Sequence, residues 1–224
     1  MKKLLMTTLC VAALGLTGCA TEGSRAIAPT VTQAASTAVN YHGVKSAISV
    51  GKFDNKSSFQ NGVFSDGQDQ LCNQSKTLLV SHLQQTGRFS VLDRTNMSEA
   101  ATEAKIKGQK QKLKGATYVI TGDVTEFGRK TVGDHQLFGI LGRGKEQVAY
   151  AKVTLNVVNV NTSEVAYSVQ GAGEYNLSNR EVLGFGGTAG YDSTLNGKVL
   201  DLAIREAVNN LVNGIEAGHW TPAK

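Results

Sequence analysis

The sequence lacks the short motifs that mark common active sites. It has neither an HExxH metal-binding motif nor a nucleophile elbow. Its four histidines have no partner at metal-ligand spacing; they are His42, His82, His135 and His219. We therefore predict no enzyme, no catalytic or metal-binding residue and no cofactor, although a catalytic group assembled from distant positions would leave no such motif.

A complete phosphate-binding loop is also missing. Residues Gly139 to Lys145 satisfy the GxxxxGK part of that motif, but Glu146 stands where a serine or threonine should hold magnesium. A carboxylate at this point repels a phosphate, and the pattern that follows is typical of a strand rather than the required helix. The sequence therefore does not predict nucleotide binding.

The apolar run at the N-terminus is too short to span a bilayer. It extends from Leu4 to Leu16 after two lysines, which is typical of an export signal and which we place at residues 1–18. The run ends in Leu16-Thr17-Gly18-Cys19, which resembles the bacterial lipobox. Cys19 is therefore predicted to carry the lipid; an ordinary cleaved signal with a chance cysteine is the alternative. Ala20, where retention at the inner membrane usually needs Asp, favours the outer membrane.

Cysteines are too few for an internal disulfide. Cys10 leaves with the signal and Cys19 carries lipid, so Cys72 has no intramolecular partner and the domain must be held together by burial. Loss of the signal leaves 224 − 18 = 206 residues, enough for one core, and a net charge of +5 − 2 = +3. Nucleic acid is an unexpected partner in the compartment that an export signal implies.

Residues 19–46 are predicted to form a lipidated tether, because the stretch from Thr21 to Gly43 is rich in Thr, Ala and Ser and has no periodicity. The folded domain is predicted at residues 47–222, beginning with a strand at Ala47 to Phe53. A continuous apolar run from Tyr118 to Ile120 predicts a strand covered on both faces.

A β-hairpin forms the predicted sheet centre. Val153 to Val157 and Val165 to Val169 alternate apolar and polar residues around a polar turn at Asn161 to Ser163. The pair Val157-Val158 breaks this alternation by one residue and predicts a bulge or a strand end.

Helices are predicted from their apolar stripes and end signals. One helix begins at a capping box of Ser65 and Gln68 and ends near Gly87. Cys72 is predicted on its core stripe, and His82 is predicted to be packed or at the surface. A second capping box pairs Asn96 with Glu99. The last helix runs from Lys198 to Ile215, and Trp220 is expected to pin the C-terminus to the sheet.

The order of these elements predicts an α/β fold in one domain: a mixed-sheet α/β sandwich with two glycine-rich β-hairpin insertions. Five lysines crowd the segment that runs from Lys105 to Lys114. A surface for phosphate or anionic lipid is one interpretation of this run, and a solvated helix face with its exit loop is the usual one.

The two insertions, Gly128 to Gly144 and Gly171 to Gly190, mix glycine with apolar residues. They are either flexible loops or extensions of the hairpins into a membrane or a subunit interface. The candidate membrane or oligomer contacts are Leu137, Phe138, Ile140, Leu141 and Phe185.

From Ala47 to Trp220 the chain resembles the CsgG/HfaB family of outer-membrane lipoproteins. The segments that carry the resemblance are Phe89-x-Val91-Leu92-Asp93-Arg94, Glu103-Ala104-Lys105-Ile106, Tyr118-Val119-Ile120-Thr121-Gly122, Val153 to Tyr167 and Ile215-x3-His219-Trp220. The resemblance implies a ring of identical subunits, each with a periplasmic α/β domain and two β-hairpins that join a shared barrel. Residues 128–147 and 171–190 occupy the positions of those hairpins, and the second is shorter than in the curli channel.

The family resemblance also implies a constriction loop after the first strand, for which the candidates are Phe59, Asn61 and Phe64. The expected function is that of a lipid-anchored outer-membrane protein facing the periplasm, a homo-oligomer that takes part in assembly or export of a cell-surface component in a curli-like way. The alternative is a periplasmic adaptor without a pore, which binds other outer-membrane or periplasmic lipoproteins or activates a cell-wall synthase.

Overall fold

A five-stranded mixed sheet forms the centre of the computed structural model, which describes residues 31–36, 41–59, 70–135, 143–181 and 195–223. Side chains are described throughout these ranges except at residues 36, 131–135, 143–147, 177–181 and 195. The strands, in the spatial order β2-β1-β3-β4-β5, are β1 Ser46–Asn55, β2 Phe89–Leu92, β3 Tyr118–His135, β4 Arg143–Asn159 and β5 Val165–Glu181.

The sheet combines a parallel and an antiparallel half. Strand β1 pairs in parallel with β2 and β3, and β3, β4 and β5 form an antiparallel meander. Parallel neighbours need a crossover, which the intervening helices supply, whereas the meander needs only short turns. The mixed sheet and its helices confirm the predicted fold class.

The helices among the described residues are α1 Gln33–Ser36, α2 Gln70–Gln85, α3 Met97–Ile106 and α4 Leu195–Glu216. Helices α2 and α4 pack against each other and against one face of the sheet, α2 on β1 and α4 on β4 and β5. Helix α3 buries none of its residues. Leu155 of β4 and Ile204 of α4 are both fully buried in the core that forms between the sheet and its helices.

The predicted two-sided cover of the strand around Val119 is wrong. Tyr118 and Ile120 are buried, but Val119 between them is only half-buried, and this alternation continues along β3. A three-residue apolar run cannot distinguish a doubly covered strand from one whose outer face carries a single valine.

The predicted irregularity in the hairpin is confirmed, because the β4–β5 register shifts between Val157 and Val158. The turn is also where the sequence predicts it, and Ser163 adopts a left-handed backbone with φ 58°. The Asn159 side-chain oxygen accepts hydrogen bonds from the backbone N–H groups of Asn161 at 2.9 Å and Thr162 at 3.4 Å, which stabilises this turn.

The predicted capping box at the start of α3 is wrong. Asn96 occupies the N-cap position but makes no side-chain cap hydrogen bond. Its amide donates instead to the Asp93 carboxylate at 2.6 Å, and Glu99 accepts from Ser98 at 2.7 Å. Asp93 also accepts from the backbone of Thr95 and Asn96, and these bonds, led by the one from the Asn96 amide, lower the pKa of Asp93. The Asn96 side chain is therefore bound to the Asp93 carboxylate instead of capping the helix.

The C-terminus is pinned to the sheet as predicted. Trp220 is 7% exposed, meets Tyr118 edge-on with ring centroids 5.2 Å apart and stacks on Tyr167 at 5.9 Å. The Tyr118 hydroxyl accepts a hydrogen bond from the Ala223 N–H at 3.1 Å, and Ser46 donates to the Ala223 carbonyl at 2.6 Å. These contacts close the end of the sheet where β1 and β3 begin.

Candidate functional site

The most unusual feature of the fold is a three-stranded extension of its antiparallel half. We define the ribbon as residues 126–135 of β3, 143–152 of β4 and 172–181 of β5, which stay paired without interruption up to the row of His135, Arg143 and Glu181. The predicted glycine-rich insertions are therefore strand over much of their length. Strands β3 and β4 continue outward as one hairpin, and β5 continues beside β4. The return strand of the second predicted hairpin would fall in residues 182–194, outside the described part of the chain.

Helix α4 covers only the base of the ribbon. The Asn196 side-chain oxygen, in the first turn of α4, accepts a hydrogen bond from Arg129 Nε at 2.9 Å. Strand β3 continues from Arg129 to His135, and six further residues at ~3.3 Å each carry it about 20 Å past this point. The outer part of the ribbon thus projects beyond the first turn of α4.

Two edges of the ribbon have no neighbouring strand among the described residues. Strand β1 ends at Asn55, which pairs with Val124, so β3 has β4 alone as a partner from Glu126 onward. Strand β5 pairs only with β4 along its whole length. Exposed strand edges of this length are templates for pairing with another chain.

Gly171 and Gly173, at the start of the second glycine-rich segment, lie in strand β5 of the sheet. Both lie directly beneath α4, and a Cβ on Gly173 would come within 2.8 Å of the Ala203 backbone nitrogen. A Cβ on Gly171 would overlap the backbone of Ala203 and Ala207. These glycines allow the helix to approach the strand closely.

Polar contacts and cation–π contacts hold the ribbon base. Lys152 Nζ lies 2.8 Å from Glu126 Oε1 across the β3–β4 pair. Lys130 lies 5.4 Å from the ring centre of Tyr150, and Lys198 of α4 lies 5.2 Å from that of Tyr175. Each contact is worth only a fraction of a kcal/mol to about 1 kcal/mol when exposed, so they orient the strands more than they stabilise them.

Phe59, one of the three candidates for a constriction loop, packs on the body of the protein. Its ring lies 4.8 Å from that of Phe127, and it contacts the hydrophobic core. The Asn55 side chain donates to the Phe59 carbonyl at 2.9 Å and accepts from Ser57 at 2.6 Å. Asn61 and Phe64, the other two candidates, lie outside the described residues.

Salt bridges at the end of β1 shift the ionisation of one carboxylate beside this segment. Lys52 lies 2.8 Å and Lys56 3.6 Å from the two oxygens of Asp54. The hydrogen bond from Lys52, with the charge of Lys56 as a smaller cause, lowers the pKa of Asp54, and the same bond raises the pKa of Lys52. Both lysine side chains are exposed and that of Asp54 is 34% exposed, so solvent screening limits what this network adds to stability.

Part of the predicted tether belongs to the folded unit, which corrects the predicted domain start at residue 47. Residues 31–36, here called the strap, lie against α2 and α4, and Thr32 is 1% exposed. The Thr32 N–H donates to the Gln85 side chain at 3.1 Å, and the Ala34 N–H donates to Asn209 at 3.2 Å. A cavity of about 210 Å³ lies between strap and α4, lined by Gln33, Ala34, Asn209, Val212, Asn213 and Glu216.

His82 is packed, which is one of the two positions predicted for it. It is 2% exposed, and its Nε2 lies 2.7 Å from Asp201 Oδ1 of α4, so the pair links the two helices of the layer. No cluster of three metal-ligating side chains occurs within the described part of the chain. Cys72, predicted as a core residue, is half-buried at the margin of the core.

The remaining predicted site residues lie outside the described part of the chain. They are the lipidation residue Cys19 and the candidate contacts Leu137, Phe138, Ile140, Leu141 and Phe185. The described strand ends that precede or follow these segments in sequence, His135, Arg143 and Glu181, share one register row. None of the described helices combines the length and hydropathy needed to cross a membrane.

Comparison with known proteins gives one family. The family model described as "Curli production assembly/transport component CsgG" matches residues 30–223. A protein of Neisseria meningitidis serogroup B that is named as a lipoprotein is 67% identical over 214 residues, which cover 96% of this chain and 95% of that protein.

Solved structures resemble the chain only distantly. A PelC dodecamer from Paraburkholderia phytofirmans is 14% identical, with 73% of this chain and 86% of that chain covered and a TM-score of 0.36. The LpoB C-terminal domain from Salmonella enterica is 16% identical, with 62% and 90% covered and a TM-score of 0.31. A homologue of the neuraminyllactose-binding hemagglutinin from Helicobacter pylori is 13% identical, with 78% and 88% covered and a TM-score of 0.41. Likeness at this level carries no conclusion about function or assembly.

Proposed function

The chain belongs to the CsgG family, and from that membership we propose that it is a lipoprotein of the outer membrane whose domain faces the periplasm. In this proposal it forms homo-oligomers that take part in the assembly or export of a cell-surface component. The family is described as a component of curli production, assembly and transport, which supports this function class. The ribbon is the structural feature that supports it.

The ribbon supports the oligomer because its edges need partners. Backbone N–H and C=O groups along a strand edge remain open until another strand or a cover satisfies them. Proteins usually blunt such edges by making them short, yet β3 beyond Val124 and all of β5 are long. Copies of the same chain arranged around an axis can satisfy these edges in a heterologous ring.

The length of the ribbon fits contact with a bilayer. Its three strands contain ten residues each, from 126 to 135, 143 to 152 and 172 to 181. A strand that crosses a bilayer needs roughly nine to eleven residues. The segment between β3 and β4 contains the apolar Leu137, Phe138, Ile140 and Leu141, which suits a membrane or a subunit contact better than water.

Lipid on Cys19 is compatible with the position of the strap. Cys19 precedes Val31 by 12 positions, and a chain of that length reaches at most about 40 Å. Once the strap is docked on α2 and α4, the lipid can lie only within that distance of it. We infer that the strap, rather than β1, is the point from which the lipid holds the domain to the membrane.

We expect Cys19→Ser to abolish lipidation. Cells grown with a fatty-acid analogue should label wild-type protein and leave the Cys19→Ser protein unlabelled, because serine offers no thiol for acylation. The mutant should also leave the membrane fraction. Cys10→Ser is the matched control and should label as wild type does, since residue 10 departs with the signal. Labelling of Cys19→Ser at the wild-type level would contradict the lipid site.

A second candidate function, the periplasmic adaptor without a pore, is favoured by the charge pattern of the ribbon. Successive strand residues face opposite sides, and charges occur at both parities of β3, with Arg129 at an odd position and Glu126 and Lys130 at even ones. A charge facing lipid costs about 2–4 kcal/mol at the midplane. Single-channel conductance of the purified oligomer distinguishes the candidates, because the export channel conducts and the adaptor does not.

A further inference from the structure

A second exposed surface lies at the end of the sheet opposite the ribbon, where β3 begins. We define the basic arm as residues 104–115, which contain five lysines and no acidic residue: Lys105, Lys107, Lys110, Lys112 and Lys114. Every residue from Lys105 to Gly115 is exposed. Among the described residues, none of these lysines forms an ion pair. The arm therefore presents a concentration of positive charge that the domain does not neutralise.

The arm is held at both ends. Arg94 donates to the Lys114 carbonyl oxygen at 2.6 Å, and the Gln109 N–H donates to the Ala104 carbonyl at 2.9 Å. Just after the arm, the Thr117 N–H donates to the Ala47 carbonyl at 2.8 Å. These bonds fix the path of the chain between α3 and β3 without burying any lysine. The lysines are thus presented from a formed structure.

Exposed apolar side chains accompany the charge. Ile106 and Leu113, within the arm, are 72% and 56% exposed. Val160 and Val165, which flank the β4–β5 turn, are 48% and 54% exposed. The Val160 N–H donates to the Thr117 carbonyl at 3.2 Å, which places this turn beside the end of the arm. Exposed apolar residues that are rimmed by polar ones mark interaction sites.

We propose that the basic arm and the neighbouring β4–β5 turn dock an extended acidic segment of a partner protein. Lys110, Lys112 and Lys114 alternate with uncharged residues in a stretch without helix or strand. Three like charges therefore fall within five exposed residues. An acidic segment can place its carboxylates opposite these lysines, and opposite charges attract. Leu113, Val160 and Val165 supply the apolar contacts.

A lipid surface fits the geometry less well. The arm enters β3 at Tyr118, whereas the ribbon ends at His135, and the 18 residues of β3 span roughly 55–60 Å. A membrane that meets the ribbon tip lies that far from the arm. The distance from the membrane rests on the proposed function, in which the ribbon tip meets the bilayer. Binding to lipid vesicles is therefore measured separately. The docking proposal itself uses only contacts within one subunit.

The test measures binding of fluorescent poly-L-glutamate to the full-length lipidated protein in detergent at ~0.15 M salt, where the Debye length is about 8 Å. The arm variant combines Lys110→Gln, Lys112→Gln and Lys114→Gln. The control combines Lys45→Gln, Lys52→Gln and Lys56→Gln, which removes the same charge from exposed positions outside the arm. We expect the arm variant to bind about tenfold more weakly, and the control within about twofold of wild type.

Equal weakening in both variants, or no binding by wild type, would overturn the proposal. A parallel measurement uses vesicles of phosphatidylethanolamine with phosphatidylglycerol and proteins that also carry Cys19→Ser, because acyl chains on Cys19 would hold any variant to a vesicle. If the arm variant loses vesicle binding but keeps poly-L-glutamate binding, the arm contacts lipid and the proposal is wrong. A second probe, the copolymer poly(Glu,Leu), tests the apolar contacts. Leu113→Ser keeps every charge, so it should weaken binding of poly(Glu,Leu) and leave binding of poly-L-glutamate unchanged. If Leu113→Ser affected both probes equally, Leu113 would not belong to the docking surface. None of these results depends on whether the protein oligomerises.

Discussion

Alanine at Gly171 is expected to lower the free energy of unfolding by about 3 kcal/mol, although it adds a single methyl group. The added Cβ would overlap the backbone of Ala203 and Ala207 in α4. A backbone cannot rotate out of the way as a side chain can, so α4 must move away from β5 and lose packing along the buried stripe that includes Val199, Ala203 and Ile204. The effect measures how closely the helix lies on the strand.

Urea denaturation followed by circular dichroism measures this loss. Gly115→Ala is the matched control, because a Cβ at Gly115 meets no atom within 4 Å. We expect the control to change the free energy of unfolding by less than about 0.5 kcal/mol. If Gly171→Ala were as stable as the control, α4 would not rest on the glycines of β5, and these residues would belong to a loop as the sequence alone suggested.

Aspartate at Phe138 is expected to destabilise the oligomer by a few kcal/mol per subunit near a bilayer midplane. In sequence Phe138 lies between the end of β3 and the start of β4, within the apolar segment from Leu137 to Leu141. A charge placed there must be desolvated whether the segment enters lipid or a subunit contact. Because each subunit of a ring carries the change, the cost repeats at every interface.

The measurement is the fraction of detergent-extracted protein in high-mass species, together with single-channel conductance. Val44→Asp is the control, since Val44 is 64% exposed and outside the ribbon. We expect Phe138→Asp to shift protein to low mass and Val44→Asp to behave as wild type. A Phe138→Asp protein that is normal in mass, conductance and partner binding would show that the segment is a spare loop.

Local patterns predicted those parts of the fold that depend on neighbours in sequence. The broken alternation at Val157-Val158 predicted the bulge, because one extra residue on a strand moves every later side chain to the opposite face. Gly87 ends α2 with φ 65°, as a C′ glycine should. The stripe from Leu200 to Ile215 gave α4, since a helix that covers a sheet needs an apolar face of that period.

Features that depend on distant partners could not be predicted. The strap is held by hydrogen bonds from its backbone N–H groups to the side chains of Gln85 and Asn209, far along the chain. Such bonds leave no periodic apolar pattern in the sequence of the strap. Gly171 resembles a loop glycine until the position of α4 is known. The Asn96 cap failed because Asp93, three residues earlier, offered the amide a charged acceptor.

The candidate site was predicted in part. The glycine-rich segments were identified as unusual, and the two alternatives for them included the strand extension that the structure has. Phe59 was placed in a constriction loop by resemblance, whereas its ring lies against Phe127. No local signal distinguishes an aromatic residue that caps a core from one that lines a pore, because both follow a strand in a polar loop.

The mass and symmetry of the detergent-extracted wild-type particle test the central claim most directly. If the open edges of the ribbon are satisfied by neighbouring copies, imaging should show a closed ring of several identical chains, and scattering should give the matching multiple of the chain mass. A stable particle with the mass of one lipidated chain, under conditions that keep the domain folded, would contradict the account.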